Sequence, residues 1–224
     1  SKKVLNHFGI FNKSISHISI GNISSAVRFI SPNIKLIEYK PNDLTVDAVW
    51  TILSIKLKNL SGKKVAILGS GNIGFKLALK LVESGVNVVL YRRNSAKGML
   101  MANAINIIKP QITTAMASFN PSAMEASSNC DVLIGAANLN TSIISWSMIQ
   151  GISQGGFVVD IGKGSLKADT LKKALENDID VFRADVTASL YGFISQMQQV
   201  ENIVQNKFGR ADVTFGVSIV SGGM

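Results

Sequence analysis

The chain has 224 residues, 46% of them apolar, a mean hydropathy of +0.27, and a net charge of +9 from 23 Lys+Arg against 14 Asp+Glu. That length can bury a full hydrophobic core, and the apolar content excludes a disordered chain. A single cysteine, Cys130, excludes a disulfide scaffold and any multi-cysteine metal site, and no apolar run is long enough to span a bilayer.

The charge is uneven. Residues 1–112 carry 16 basic and 4 acidic side chains, a net of +12, whereas residues 113–224 carry 7 and 10, a net of −3. A basic half suits nucleic acid, a membrane surface or a phosphorylated ligand. Aromatic residues make up only 7% of the chain, without the basic–aromatic interleaving of a nucleic-acid groove, so nucleic acid ranks last. No basic–apolar–small leader pattern opens the chain, and the expectation is a cytoplasmic protein.

In chain order, residues 15–20 alternate apolar and polar as a half-buried strand does, and residues 34–39 read as another short strand. Apolar residues recur at helical spacing over 44–59, with Asp43 as the expected N-cap and Ser61-Gly62 as the stop. A strand over 65–68, a glycine turn, a helix over 75–84 stopped by Gly85, and a β-branched strand over 86–91 then make up a βαβ unit. The alternation continues: helix 96–108, weak strand 112–117, short helix 121–128, strand 132–136, short helix 145–152, strand 157–161, helix 166–177 and strand 180–183. A closing helix follows over 193–207, with Gly209 just past its end. Six strands alternating with helices predict an α/β fold with a doubly wound parallel sheet of the Rossmann type, preceded by a short N-terminal α/β segment.

The turn after the first strand of that unit reads Gly69-Ser70-Gly71-Asn72-Ile73-Gly74. A Gly-x-Gly-x-x-Gly run means little by itself. Between a strand and a helix it is the dinucleotide fingerprint: Gly69 for the tight turn, Gly71 for close backbone approach to a pyrophosphate, Gly74 for packing of helix on strand. The helix N-terminus supplies unpaired N–H groups for the phosphates. An NAD-preferring site places an acid about 20 residues after the first glycine, to accept from the ribose hydroxyls. Here the stretch is Leu90-Tyr91-Arg92-Arg93-Asn94. Two arginines without an acid suit a 2′-phosphate, which predicts NADP over NAD. The missing acid also counts against a methyltransferase.

The fourth strand ends in Ala136-Ala137-Asn138, small enough for a nicotinamide ring, with Asn138 or Asn140 read either as a ribose ligand or as a turn residue. Lys163, between Gly162 and Gly164 at the same sheet edge, is either a group that binds or protonates an anionic substrate or a plain surface lysine. The histidines, His7 and His17, read as structural or surface residues, and Cys130 as a small buried hydrophobe.

Residues 26–30, 35–43 and 52–53, followed by Gly62-Lys63-Lys64-Val65, resemble the layout of shikimate dehydrogenases. Arg92-Arg93-Asn94-Ser95-Ala96-Lys97 is similar to that family's N-R-T…K-A, and Gly192, Gln199 and Gly209 to its G…Q…G closing helix. Methylenetetrahydrofolate dehydrogenases share this amino-acid-dehydrogenase-like architecture. The resemblance covers about residues 25–210. It implies an NADP-dependent dehydrogenase, with Asp43 near the family's catalytic aspartate, Arg92, Arg93 and Asn94 at the cofactor phosphate, and Gln199 at the substrate. The family's catalytic lysine lies in a fuller N-terminal domain, and its Y-N-P is replaced by Gly162-Lys163-Gly164. Residues 159–166, Ala174-Leu175 and Asp185-Val186 also resemble the N-x-x-R-G-x-L-V…A-L…D-V stretch of D-2-hydroxyacid dehydrogenases. Lys163 then stands where that family has its substrate-binding arginine, and its His–Glu pair has no counterpart.

The expected organisation is an N-terminal segment, 1–60, with the character of a shortened substrate domain, a dinucleotide-binding domain, 61–210, and a tail, 211–224. The expected activity is hydride transfer between NADP and a small anionic substrate, with Asp43 and Lys163 as catalytic candidates and no metal. A dinucleotide-binding or sensing module without hydride chemistry is the alternative. A small molecule is the expected partner, not nucleic acid or a membrane, and a homodimer is left open.

Overall fold

A computed structural model describes residues 23–34, 36–137, 142–162, 164–206, 210–212 and 218–220. The chain divides into two compact units, residues 1–39 and residues 40–224. The expected strand over 15–20 lies outside the described residues. In the first unit, α1 (Ile23–Ile30) is a helix that the sequence pattern did not predict. Residues 36–39 form no strand, because a strand needs a hydrogen-bonded neighbour and no described strand pairs with them.

The second unit opens with α2 (Pro41–Leu57). It begins ahead of the expected start because Pro41 takes the first helical position, where its fixed φ is pre-organised and its missing N–H costs nothing. Lys40 is the N-cap, so Asp43 sits in the first turn instead of capping the helix. Then follow β1 (Lys64–Leu68), α3 (Asn72–Glu83), β2 (Asn87–Tyr91), α4 (Ser95–Ile108), β3 (Ala117–Phe119) and α5 (Ala123–Ser127). The second half of the sheet is built by β4 (Val132–Gly135), α6 (Trp146–Gln150), β5 (Phe157–Asp160), α7 (Ala168–Glu176) and β6 (Val181–Arg183). Helix α8 (Thr187–Asn206) follows the last strand of the sheet. Beyond it, in the stretch read as a tail, β7 (Arg210–Asp212) and β8 (Ser218–Val220) pair antiparallel.

The main sheet is all parallel, in the order β3-β2-β1-β4-β5-β6. It is doubly wound, with the order reversing between β1 and β4. Strand β3 forms downstream of the expected 112–117. Ile112 is 94% exposed, and the ladder with β2 starts at Val88↔Ala117.

Strand β1 is buried on both faces, as a central parallel strand must be. Its alternation splits the core. Val65 and Ile67 join Val49 and Leu53 of α2, Leu77 and Leu81 of α3, and Ile105 of α4. Ala66 and Leu68 join Ala126, Cys130, Ile149 and Ala174 on the other side. Helix α2 therefore belongs to the same packed layer as α3. Two ion pairs lace these helices, Asp43 with Lys76 and Asp47 with Lys80 at 2.7 Å, and the Lys80 ammonium lies 5.1 Å from the centre of the Trp50 ring.

Leu53 is fully buried, so Leu53→Ala is expected to lower stability by about 2–5 kcal/mol in urea unfolding. Burial pushes the Cys130 thiol up to about 12. Thiol reagents at pH 8 should leave native Cys130 unmodified and label it once the protein is unfolded in denaturant.

Candidate functional site

In a parallel sheet all strands end at one edge, so the loops leaving β1, β4 and β5 meet there. They meet backbone to backbone. Gly69, at φ +105°, lies so close to the exit of β4 that a Cβ would stand 2.6 Å from the Ala136 carbonyl carbon and 2.6 Å from the Ala137 nitrogen. A Cβ on Gly162, after β5, would stand 2.4 Å from the Ala137 oxygen. A Cβ on Gly135 would strike Ser165 at 2.4 Å. Three successive loops are thus stacked at contacts that side chains would force apart.

The glycine turn is held from both sides. Gly69 N and Ser70 N donate to the Tyr91 carbonyl at 3.0 and 3.3 Å, and Gly71 N donates to the Gly69 carbonyl at 2.8 Å. Gly74 is buried against the turn, where a Cβ would lie 3.0 Å from the Gly69 oxygen and 3.4 Å from Ile67 Cγ2. The helical ladder of α3 begins with Phe75 N donating to the Gly71 carbonyl at 2.9 Å. The N–H groups of Asn72, Ile73 and Gly74 ahead of it form the unpaired first turn of the helix. Gly71 is the N-cap, is exposed, and a Cβ on it would meet nothing within 4 Å. Open space over an array of unpaired N–H groups fits a pyrophosphate.

The arginines at the end of β2 separate. The half-buried Arg92 turns back on the glycine turn: its Nη1 donates to the Ser70 carbonyl and lies 3.6 Å from Met101 Sδ. Arg93 is exposed and makes no hydrogen bond or ion pair with a described residue. Asn94 caps α4, its Oδ1 accepting from Lys97 N at 2.9 Å.

Asp43 stands near the turn. Its neighbour Asn42 donates from Nδ2 to Asn72 Oδ1 at 3.1 Å, and its own carboxylate is engaged by Lys76. Ala136 continues the ladder, its N donating to the Leu68 carbonyl at 2.7 Å, and ends half-buried at the crevice between β1 and β4. Gln199 is exposed on α8, a helix that packs against α2. Asn138, Asn140 and Lys163 lie outside the described residues.

Sequence reasoning missed Asp160, at the end of β5. Its carboxylate accepts from Gly162 N and Gly164 N, both at 3.1 Å, and from Ser165 N at 3.4 Å. The signal was available, since an Asp two residues ahead of a Gly-x-Gly commonly folds the chain back on its own carboxylate. Among the described residues no three His, Cys, Asp or Glu gather as metal ligands, and no helix is long and apolar enough to cross a membrane.

The reversed strand order, the glycine turn on a helix N-terminus and the open approach over Gly71 define a dinucleotide-binding domain of the doubly wound class. Residues 37–190 match the family model of the D-isomer specific 2-hydroxyacid dehydrogenase, NAD-binding domain, and the chain belongs to that family.

Solved structures with the same architecture include the apo form of D-lactate dehydrogenase from Escherichia coli. It is 13% identical with a TM-score of 0.53, and the match covers 78% of this chain and 68% of that one. A dipicolinate synthase chain from Bacillus halodurans is 16% identical with a TM-score of 0.50, over 83% and 64% of the two chains. A protein from Pyrococcus horikoshii is 20% identical with a TM-score of 0.50, over 63% of this chain and 50% of that one. At these identities the likeness is one of fold, and the chain spans about half the length of the Pyrococcus protein. No curated protein matches the sequence.

The first two glycines of the turn should respond oppositely to alanine. Gly69→Ala meets backbone at positive φ and is expected to lower stability by about 2–4 kcal/mol. Gly71→Ala has room in the free protein and should cost at most about 1 kcal/mol as a poorer N-cap, yet weaken dinucleotide binding by filling the approach. Urea unfolding and a fluorescence titration with reduced dinucleotide check the pair.

Proposed function

We propose that the protein is an NADP-preferring oxidoreductase that passes a hydride between the nicotinamide and a small anionic hydroxylated carboxylate. The observation that carries the reading is the open glycine turn beside Arg93, an exposed cation without a partner among the described residues, in the stretch where an NAD site places an acid.

In this reading the N–H groups of Asn72 and Ile73 receive the pyrophosphate, and Gly71 lets it approach. Arg93, with Lys97 in the first turn of α4 that follows it, meets the 2′-phosphate through charge-assisted hydrogen bonds. The small Ala136 leaves room at the β1–β4 crevice for the nicotinamide, and Asn138 is a candidate for its ribose. Bound nicotinamide supplies the hydride donor or acceptor; the protein supplies orientation and charge around it. Lys163, which follows Gly162 in the sequence, is the candidate for the substrate's carboxylate or for the proton that accompanies reduction. Asp43 and Gln199 are further candidates carried by the shikimate-dehydrogenase resemblance. The family match supports a 2-hydroxy acid over shikimate, and both belong to the same chemical class. The proposed partner is this small molecule, not nucleic acid or a membrane.

Two measurements test the proposal. NADPH should bind more tightly than NADH, and Arg93→Ala should weaken NADPH by about tenfold or more with little effect on NADH; equal affinity of the unmodified protein for the two cofactors removes the NADP assignment. A turnover assay with NADPH and 2-oxo acids, and with NADP and shikimate, tests the chemistry. Binding without turnover of any of them favours the binding or sensing module.

A further inference from the structure

We propose that Arg92 is a positioning residue for the glycine turn that serves both dinucleotides alike, and that the choice between them falls to Arg93 alone. The inference rests on the dinucleotide reading above and divides the work of two residues that the sequence presents as equivalent.

The geometry of one peptide carries this division. The Ser70 carbonyl, which Arg92 Nη1 holds, and the Gly71 N–H, which donates to the Gly69 carbonyl at 2.8 Å, belong to the same peptide group. A peptide is planar, so fixing its oxygen and its hydrogen fixes its orientation. That orientation keeps the Ser70 carbonyl turned to a cation. It also aims the next N–H groups, which have no acceptor in the preceding chain, at the space over Gly71.

Tyr91 holds only the start of the turn, through Gly69 N and Ser70 N. Arg92 adds the contact at its middle. Without that contact the Ser70–Gly71 peptide keeps only its Gly71 N–H tether, and turning its carbonyl toward the phosphates would set an acceptor against an anion.

Arg92 is also badly placed to be the selector. It is half-buried, committed to the Ser70 carbonyl, and backed by Met101 Sδ at 3.6 Å. Arg93, the next residue, is exposed and has no partner among the described residues. Successive residues leaving a strand point to opposite sides, so one arginine can face the turn while the other faces the 2′ position. Both NADH and NADPH carry the pyrophosphate, and only NADPH carries the 2′-phosphate. Loss of the clamp must therefore weaken both cofactors by the same factor.

The test is a set of fluorescence titrations with NADH and NADPH on the unmodified protein, Arg92→Ala, Arg92→Lys and Arg93→Ala, with the thermal midpoint of each cofactor-free protein measured alongside. Arg92→Ala should raise both Kd values by about tenfold, the scale of one charge-assisted hydrogen bond, and leave their ratio unchanged. Arg92→Lys keeps a donor and a charge and should stay within about threefold of the unmodified protein for both cofactors; it carries the test if the alanine variant does not fold. Arg93→Ala should change the ratio.

The clamp is overturned if either Arg92 variant loses NADPH selectively. It is also overturned if Arg92→Ala binds both cofactors as tightly as the unmodified protein, or lowers the midpoint while its folded fraction binds normally. Failure of the unmodified protein to bind either dinucleotide is a different result and removes the dinucleotide reading itself.

Discussion

The site depends on one packing constraint: three strand exits must touch backbone to backbone. Gly69, the Ala136–Ala137 peptide and Gly162 lie so close that a methyl group at either glycine would overlap a main-chain atom of the β4 exit. Protein interiors transmit such overlaps because they have little free volume to absorb them. The β1 turn is therefore seated against the β4 loop, and the β4 loop against the β5 loop. This stack carries no charge and performs no chemistry, yet it sets where the unpaired N–H groups of α3 stand relative to the crevice between β1 and β4.

Charge acts on that frame locally. Among the described lysines of the first half, several are engaged in the fold: Lys76 and Lys80 tie α3 to α2, Lys63 pairs with Asp131 at 3.0 Å, and Lys56 pairs with Asp180 at 2.8 Å. Such partly exposed pairs contribute little each, about 0–1 kcal/mol. Their role here is one of register, since the α2–α3 pairs fix Asn42 beside Asn72 at the mouth of the glycine turn. Once these are set aside, Arg92 and Arg93 stand out at the site, one bound to the turn and one exposed.

Much of the fold was legible because parallel sheets write themselves plainly. Buried stretches such as Val132–Gly135 and Phe157–Val159 are short apolar runs, and the helices between the strands carry caps such as Ser122 and Ser145. Residues 112–117 looked like a strand, yet only Ala117 of them belongs to one, and the strand formed downstream from where Ala117 pairs with Val88. Residues 36–39 have strand-like composition and no partner strand among the described residues. Asp43 looked like a cap, but Pro41 had already started the helix. In the first two cases local composition was overruled by a partner, or the lack of one, elsewhere in the chain; in the third a proline two residues earlier decided the start.

The sequence by itself determined the class of the protein, through the strand–turn–helix with Gly69, Gly71 and Gly74, and it shows no acid at Leu90-Tyr91-Arg92-Arg93-Asn94. These are statements about residue type at a spacing, and spacing survives in one dimension. Only the tertiary structure decided that α2 belongs to the core layer, that Gly162 is seated against Ala137, that Asp160 gathers the loop after β5, and that adjacent arginines face different surroundings. Those depend on which atoms meet across long stretches of chain. Gly69 and Gly162 are far apart in sequence, and it is the parallel pairing of β1, β4 and β5 that brings their loops to one edge.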